Sequence, residues 1–307
     1  MMPARRPRRR GFTLVELLVT MTILGLLGTM VTAVMVGQQR FFQRTTQQMD
    51  VRRELRTAIN VLSAELRGVS AAAGDIVAFD RMSITFRGVL GSSVVCATPS
   101  RAQVDLAPAN MARLQLTNFT NDPGIGDTIV VLRNDSSGVA GEFWSAHRIT
   151  SVSSSVTTCL VAPYVDAVLD VGKARLRLGV SPNLPDSVVA GAPLRLLRTT
   201  RFALATEASG SWYLGRSEYA GGAWSTAVSI AGPLNAASAS GTGGLGLTMY
   251  DSLGAEVTAG ISTPGRRISR IDIVARATGE RRSGVVGSNT TAVTDSLLVS
   301  VALRNRR

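Results

Sequence analysis

Residues 12–37 form an unbroken run of 26 with a single charged side chain, Glu16, and the run follows directly on Arg8-Arg9-Arg10-Gly11. A bilayer-spanning helix needs about 20 predominantly apolar residues, so this run is long enough to cross. The five arginines ahead of it, Arg5, Arg6, Arg8, Arg9 and Arg10, hold residues 1–11 on the cytoplasmic side by the positive-inside tendency. An ordinary secretory signal has an apolar region of only about 7–15 residues with a small-residue cleavage site after it, which this run does not match. Glu16 is the residue that needs explaining. A carboxylate at membrane depth costs roughly 2.5–3.5 kcal/mol on insertion scales, so its presence marks a candidate functional site.

The stretch Gly11-Phe12-Thr13-Leu14-Val15-Glu16, behind its basic leader, resembles the processing motif of type IV prepilins and type II secretion prepseudopilins. The resemblance implies cleavage by a prepilin peptidase between Gly11 and Phe12 and methylation of the new amine on Phe12. It also implies that Glu16 takes part in subunit assembly by pairing with the Phe12 amine of a neighbour. The expected organisation is a removed leader at 1–11, a membrane-spanning and later filament-core segment at 12–37, an amphipathic half of the same helix at 38–74, and a β-rich periplasmic or extracellular domain at 75–307.

The residues support that division. Between Gly37 and Gly68 there is no Gly or Pro, and Leu55, Ile59, Leu62, Leu66 and Val69 recur at helical spacing, with Arg53, Arg56, Asn60 and Arg67 on the other side. This predicts one helix from about 12 to about 72, roughly 90 Å long, with Gly74 as its stop. Beyond it the sequence changes to short alternating strands separated by Gly, Ser, Asn and Asp turns. Strands are predicted around 82–86, 127–133, 143–152, 156–161, 173–180, 193–206, 212–214, 224–230, 245–250, 267–277 and 296–303. The fold class is therefore α+β, one long N-terminal helix followed by a β-rich domain; the resemblance implies that it is pilin-like, with the helix packed on an antiparallel β-rich domain. From Tyr250-Asp251-Ser252-Leu253-Gly254 onward the order of strands resembles minor pilins of the PilW kind and J-type pseudopilins. Residues 90–190 resemble nothing specific.

Formal charge is +12, of which the leader arginines contribute five, leaving +7 on a mature chain. Lys173 is the one lysine among 33 basic residues. Arginines scattered among 21 acids predict a solvated surface, with a basic face for DNA as the alternative. Cys96 and Cys159 are the two cysteines. They form a possible disulfide in an oxidising compartment, where closing a loop of this length would contribute roughly 4 kcal/mol in the chain-entropy model.

The residue patterns of catalysis are sparse. His147 is the one histidine and falls in a predicted strand, as expected of a packing or surface residue. Residues 241–246 fit Gly-x-Gly-x-x-Gly but lack the preceding strand and following helix that a dinucleotide site requires. Asn121, Asp122, Asp127 and Asp135 lack the spacing of a calcium loop and read as turn residues. Trp144, Trp212 and Trp224 are expected in the core. The sequence thus predicts a structural subunit, not an enzyme, with no cofactor and no metal. It would be a minor pilin or pseudopilin, too large for a typical major subunit, that initiates or caps a type IV pilus or type II secretion pseudopilus. Its expected partners are the prepilin peptidase, other major and minor pilins or pseudopilins, and the inner membrane. The alternatives are a DNA-binding minor pilin, or a surface adhesin or hydrolase that uses a pilin-like export signal.

Overall fold

The computed structural model describes residues 11–134, 143–156, 164–166, 168–238, 242–258, 267–279 and 293–303. Two compact units are present, residues 1–50 with 279–293 and residues 51–278 with 294–307. In the first, the described residues are almost wholly helical and none is buried. They belong to α1 (Leu14–Arg67), a helix of 54 residues.

The second unit contains the last turns of α1 and all the strands. Leu55, Ile59, Leu62 and Leu66, the predicted stripe, are buried, together with Val51 and Ala58. α1 stops earlier than the expected residue 72. Gly68 and Val69 donate to the carbonyls of Glu65 and Leu66, three residues back, which tightens and ends the last turn. Beyond it the chain is non-helical, with a turn over 71–74 that finishes at Gly74 with φ +84°. The apolar stripe nevertheless carries on, because Val69 and Ala71 enter the same core in non-helical geometry.

That core lies under one face of the larger of two sheets. β1 (Ile76–Phe79), β2 (Ser83–Ser100), β8 (Pro193–Thr206) and β9 (Trp212–Ala220) supply Ile76, Ile84, Phe86, Phe202 and Leu214. Phe86 and Phe202 stack with centroids 6.0 Å apart. A separate three-stranded sheet adds a second wall: β12 (Leu245–Tyr250), β13 (Arg270–Thr278) and β14 (Thr294–Ala302), with Leu247, Met249, Ile271, Ile273 and Val301 facing in. Two polar contacts fix the helix on this layer. Arg52 Nε donates to Asp295 on β14 (2.8 Å), and Glu54 accepts from the Gly232 N–H (3.1 Å) on β11 (Val228–Leu234). The Arg52 hydrogen bond holds the Asp295 carboxyl below its ordinary range.

The middle of the chain forms a closed ring. β2 pairs with β3 (Gln103–Leu106), β3 with β7 (Arg175–Ser181), β7 with β6 (Phe143–Ser155), β6 with β5 (Thr128–Arg133), β5 with β8, and β8 returns to β2, every pair antiparallel. Closure removes unpaired edges from these six strands. The interior is aliphatic: Val95, Val104, Leu106, Ile129, Ile149 and Leu178 are each fully buried. β2 and β8 are long enough to serve both halves. Their register runs from Ser83↔Ala203, over the helix, to Val94↔Pro193, in the barrel. β4 (Asn118–Phe119) and β10 (Ala223–Trp224) are short edge additions to β2 and β9.

The predicted strands recur with shifted ends. Residues 193–206 and 245–250 match β8 and β12, whereas β1, β3 and β4 were not anticipated. The predicted strand at 156–161 lies outside the described residues except for Val156, which is not in a strand.

Candidate processing and assembly site

The helix start is built by four residues. Thr13-Leu14-Val15-Glu16 is a Thr-x-x-Glu sequence, and it closes as a reciprocal cap. The Glu16 N–H donates to Thr13 Oγ1 (3.3 Å), while the Thr13 N–H donates to Glu16 Oε2 (3.2 Å). The Thr13 hydroxyl also donates to that carboxylate (3.2 Å). Sequence reasoning missed this local role for Glu16, although the spacing was legible. Gly11 and Phe12 lie outside the helix, ahead of the cap, and Phe12 is 82% exposed. A Cβ placed on Gly11 would meet nothing within 4 Å. The peptide between these two residues is therefore accessible, and the chain itself imposes no demand for glycine at position 11.

Behind the cap the helix surface is apolar and uncovered. Its most hydrophobic 18-residue window has mean hydropathy 2.1, and none of that window is buried by the chain. The threonines in this stretch keep their hydroxyls satisfied within the helix. Thr20, Thr22 and Thr29 donate to carbonyls three residues back, and Thr32 to one four residues back. Such back-bonding hides a hydroxyl where water cannot reach it.

The remaining candidates lie in the β-rich unit. Cys96 is buried on β2 and is not a free thiol; Cys159 lies outside the described residues. His147 is buried in the barrel wall. Its Nδ1 sits 2.7 Å from the Pro182 carbonyl, which can only accept, so Nδ1 carries the proton and Nε2 faces the Ser145 hydroxyl at 2.9 Å. Asp127 does precede a strand, as expected, but its carboxylate is buried and receives both Nε (3.0 Å) and Nη2 (2.8 Å) of Arg198. Arg198 Nη1 continues to Glu218 (3.2 Å). A second buried carboxylate, Asp105, is held by Arg175 and Arg177. Sequence spacing carries no signal for these pairs, whose members are 71 and 70 or more residues apart. Among the described residues no cluster could hold a metal ion, and Asp135 lies outside them.

Trp144 and Trp224 depart from the expected core placement. They are 46% and 38% exposed, because strand alternation puts them, with Tyr219, on the outer side of the sheet while Ser145 and Glu218 face the other side. Trp212 is half-buried.

Residues 6–32 match the family model described as the prokaryotic N-terminal methylation motif. No curated protein and no solved structure matches the chain. The motif is of the prepilin type and implies processing by prepilin peptidase. With the apolar helix behind it, it points to membrane anchoring before assembly and to a pilin or pseudopilin subunit.

Proposed function

We propose that this chain is a minor pilin or pseudopilin that helps to initiate or cap a type IV pilus or a type II secretion pseudopilus. The observation that carries this reading is the helix start: an exposed Gly11-Phe12 peptide ahead of a capped helix whose apolar surface the chain leaves uncovered. On this reading, residues 1–11 are removed, Phe12 is methylated, and residues 12–37 lie first in the inner membrane and then in a filament core. The remainder of α1 joins the filament core to the β-rich domain outside the membrane. Cys96 and Cys159 form its disulfide.

Glu16 then has two successive partners. In the single subunit its carboxylate caps α1 through Thr13. In the filament it exchanges that cap for the charged amine of a neighbour's Phe12, which offsets the cost of a carboxylate in an apolar core and sets the axial register. Two substitutions separate these roles. Glu16→Gln preserves the cap, since Gln serves in the same box, but removes the charge; Glu16→Val removes both. Both variants should be inserted and cleaved, and both should be depleted from sheared filaments relative to membranes. If Gln restores the wild-type filament-to-membrane ratio, Glu16 is a helix cap and not an assembly charge.

A further inference from the structure

The larger sheet has a second face, turned away from both cores, and its chemistry is unlike the rest of the surface. β8 points Leu194 and Leu196 into the barrel and Phe202 into the helix-packed core. Strand alternation therefore sends Arg195, Thr199 and Arg201 to the opposite side. The ladders extend that side laterally. Thr199 lies between Arg87 on β2 and Tyr219 on β9, and Tyr219 is paired in turn with Trp224. Val130, beside Arg195, is paired with Ala146, and Thr128 with Arg148. Trp144 follows on the same face two residues before Ala146.

Two arginine–tryptophan pairs stand on this face. The Arg195 guanidinium lies 5.2 Å from the Trp144 ring centroid and that of Arg201 4.5 Å from Trp224. Tyr219 meets Trp224 edge-on at 5.4 Å. The same face holds an open groove of about 460 Å³, bordered by Arg87, Arg148, Tyr219 and Trp224. Gly126 sits at its floor with φ +97°, where a Cβ would lie 3.6 Å from Arg148 and 3.8 Å from Tyr219.

The charge is one-sided. The carboxylates nearest in sequence, Asp127 and Glu218, face the other way and are held by Arg198. Among the described residues of β2, β5, β6, β8 and β9, no Asp or Glu projects from the outer face. Asp75 stands near Arg87 and Arg195 at the margin, and burial raises its carboxyl above the ordinary range.

We infer that this face binds single-stranded nucleic acid, with the arginines on phosphates and the tryptophan and tyrosine rings under bases. A positively charged groove lined with aromatic rings provides both contacts. A base-free polyanion would use only the arginines, and a duplex would hide its bases from the rings. Arg195 and Arg201 are six residues apart on one strand, roughly 20 Å, which suits a short site at the low end of the ~4–16 nucleotides seen for small barrels. The inference does not depend on the filament reading.

The test uses the full-length mature chain in detergent micelles and a fluorescein-labelled oligothymidylate of fifteen nucleotides, read by anisotropy. Log affinity should fall with log salt with a slope of about −2 to −3, from four arginines at ~0.7 per phosphate on a single strand. Combining Arg148→Gln, Arg195→Gln and Arg201→Gln should weaken binding at least tenfold and flatten the slope by about 2. Trp144→Ala with Trp224→Ala should weaken it roughly tenfold with the slope unchanged. A control triple at Arg101, Arg113 and Arg267 should bind as wild type does. As a readout that needs no variant, 5-bromouracil in the oligonucleotide should crosslink on irradiation to peptides containing Trp144, Tyr219 or Trp224. Crosslinks confined to other peptides, an equal loss in the control triple, or equal competition by inorganic polyphosphate or by a duplex of the same charge would each overturn the inference.

Discussion

Leu24 and Leu62 are the same residue on the same helix, yet one is 67% exposed and the other has no accessible surface. The contrast holds for whole segments. From Leu14 to Asp50 the helix buries nothing, although it is the most apolar part of the chain. From Val51 to Arg67 it is amphipathic and its apolar stripe is fully covered by two sheets. Burial of apolar surface is the main favourable term in folding, so the second segment is explained by its own chain. The first is left uncovered by the described residues of the chain. The polar groups agree with this division: the threonines of the first segment bond back to the helix, whereas Arg52 and Glu54 reach across to strands.

If the β-rich unit is self-sufficient, its stability should depend on its own buried groups and not on the apolar segment. The largest effect is expected at Asp127. Asp127→Ala takes the bidentate partner from the half-buried Arg198, leaving it Glu218, and should cost about 3 kcal/mol, measured by denaturant unfolding of the detergent-solubilised chain. A loss below about 1 kcal/mol would show that water replaces the pair. Leu62→Ala should cost roughly 2–5 kcal/mol, whereas Leu24→Ala should leave the same unfolding transition unmoved. Equal losses at the two leucines would erase the distinction between the segments.

A smaller effect should follow acidification. Asp166 is held below the ordinary carboxylate range by the backbone N–H groups of Leu169 and Val168, and Asp170 by the Ala112 N–H and the Lys173 ammonium. Asp295 is held low by Arg52. A depressed folded-state value means stability that is present above the unfolded carboxylate value, about pH 4, and is lost as pH falls through the folded values below it. Amide exchange of Ala112, bonded to Asp170, should accelerate below pH 4 beyond the intrinsic trend, while amides in the apolar helix segment should show no such step. The smallest change is expected at Ser63. Its hydroxyl is buried on α1 without a hydrogen-bond partner, so Ser63→Ala should stabilise the unit by about 0.5–1 kcal/mol. Destabilisation there would mean that the hydroxyl is bonded after all.

The helix and its cleavage motif were legible because both are local. An apolar run, a 3.6-residue stripe and Gly11 to Glu16 are all read within a few turns. The strands of the three-stranded sheet were legible for a similar reason, since residues 245–250 and 267–277 read locally as strands, but their pairing into a sheet of their own was not. The barrel was not, because closure depends on β2 meeting β8 across about a hundred residues, and no local pattern records that register. The same non-locality hid the partners of Asp105 and Asp127. It also hid the outer basic face, whose arginines come from β2, β6 and β8 and looked scattered until the ladders brought them together.

The central claim is that residues 12–37 are made to be covered by something other than this chain, after the leader is removed. The most direct test is the intact mass and N-terminal peptide of the protein purified from its native membrane or filament. The account predicts an N-terminus at Phe12 carrying one methyl group on its amine. It also predicts that Gly11→Val leaves the precursor uncut while the β-rich unit keeps its wild-type melting temperature, since a side chain there meets nothing within the chain. An N-terminus at Met1, or one beyond residue 37, would contradict it.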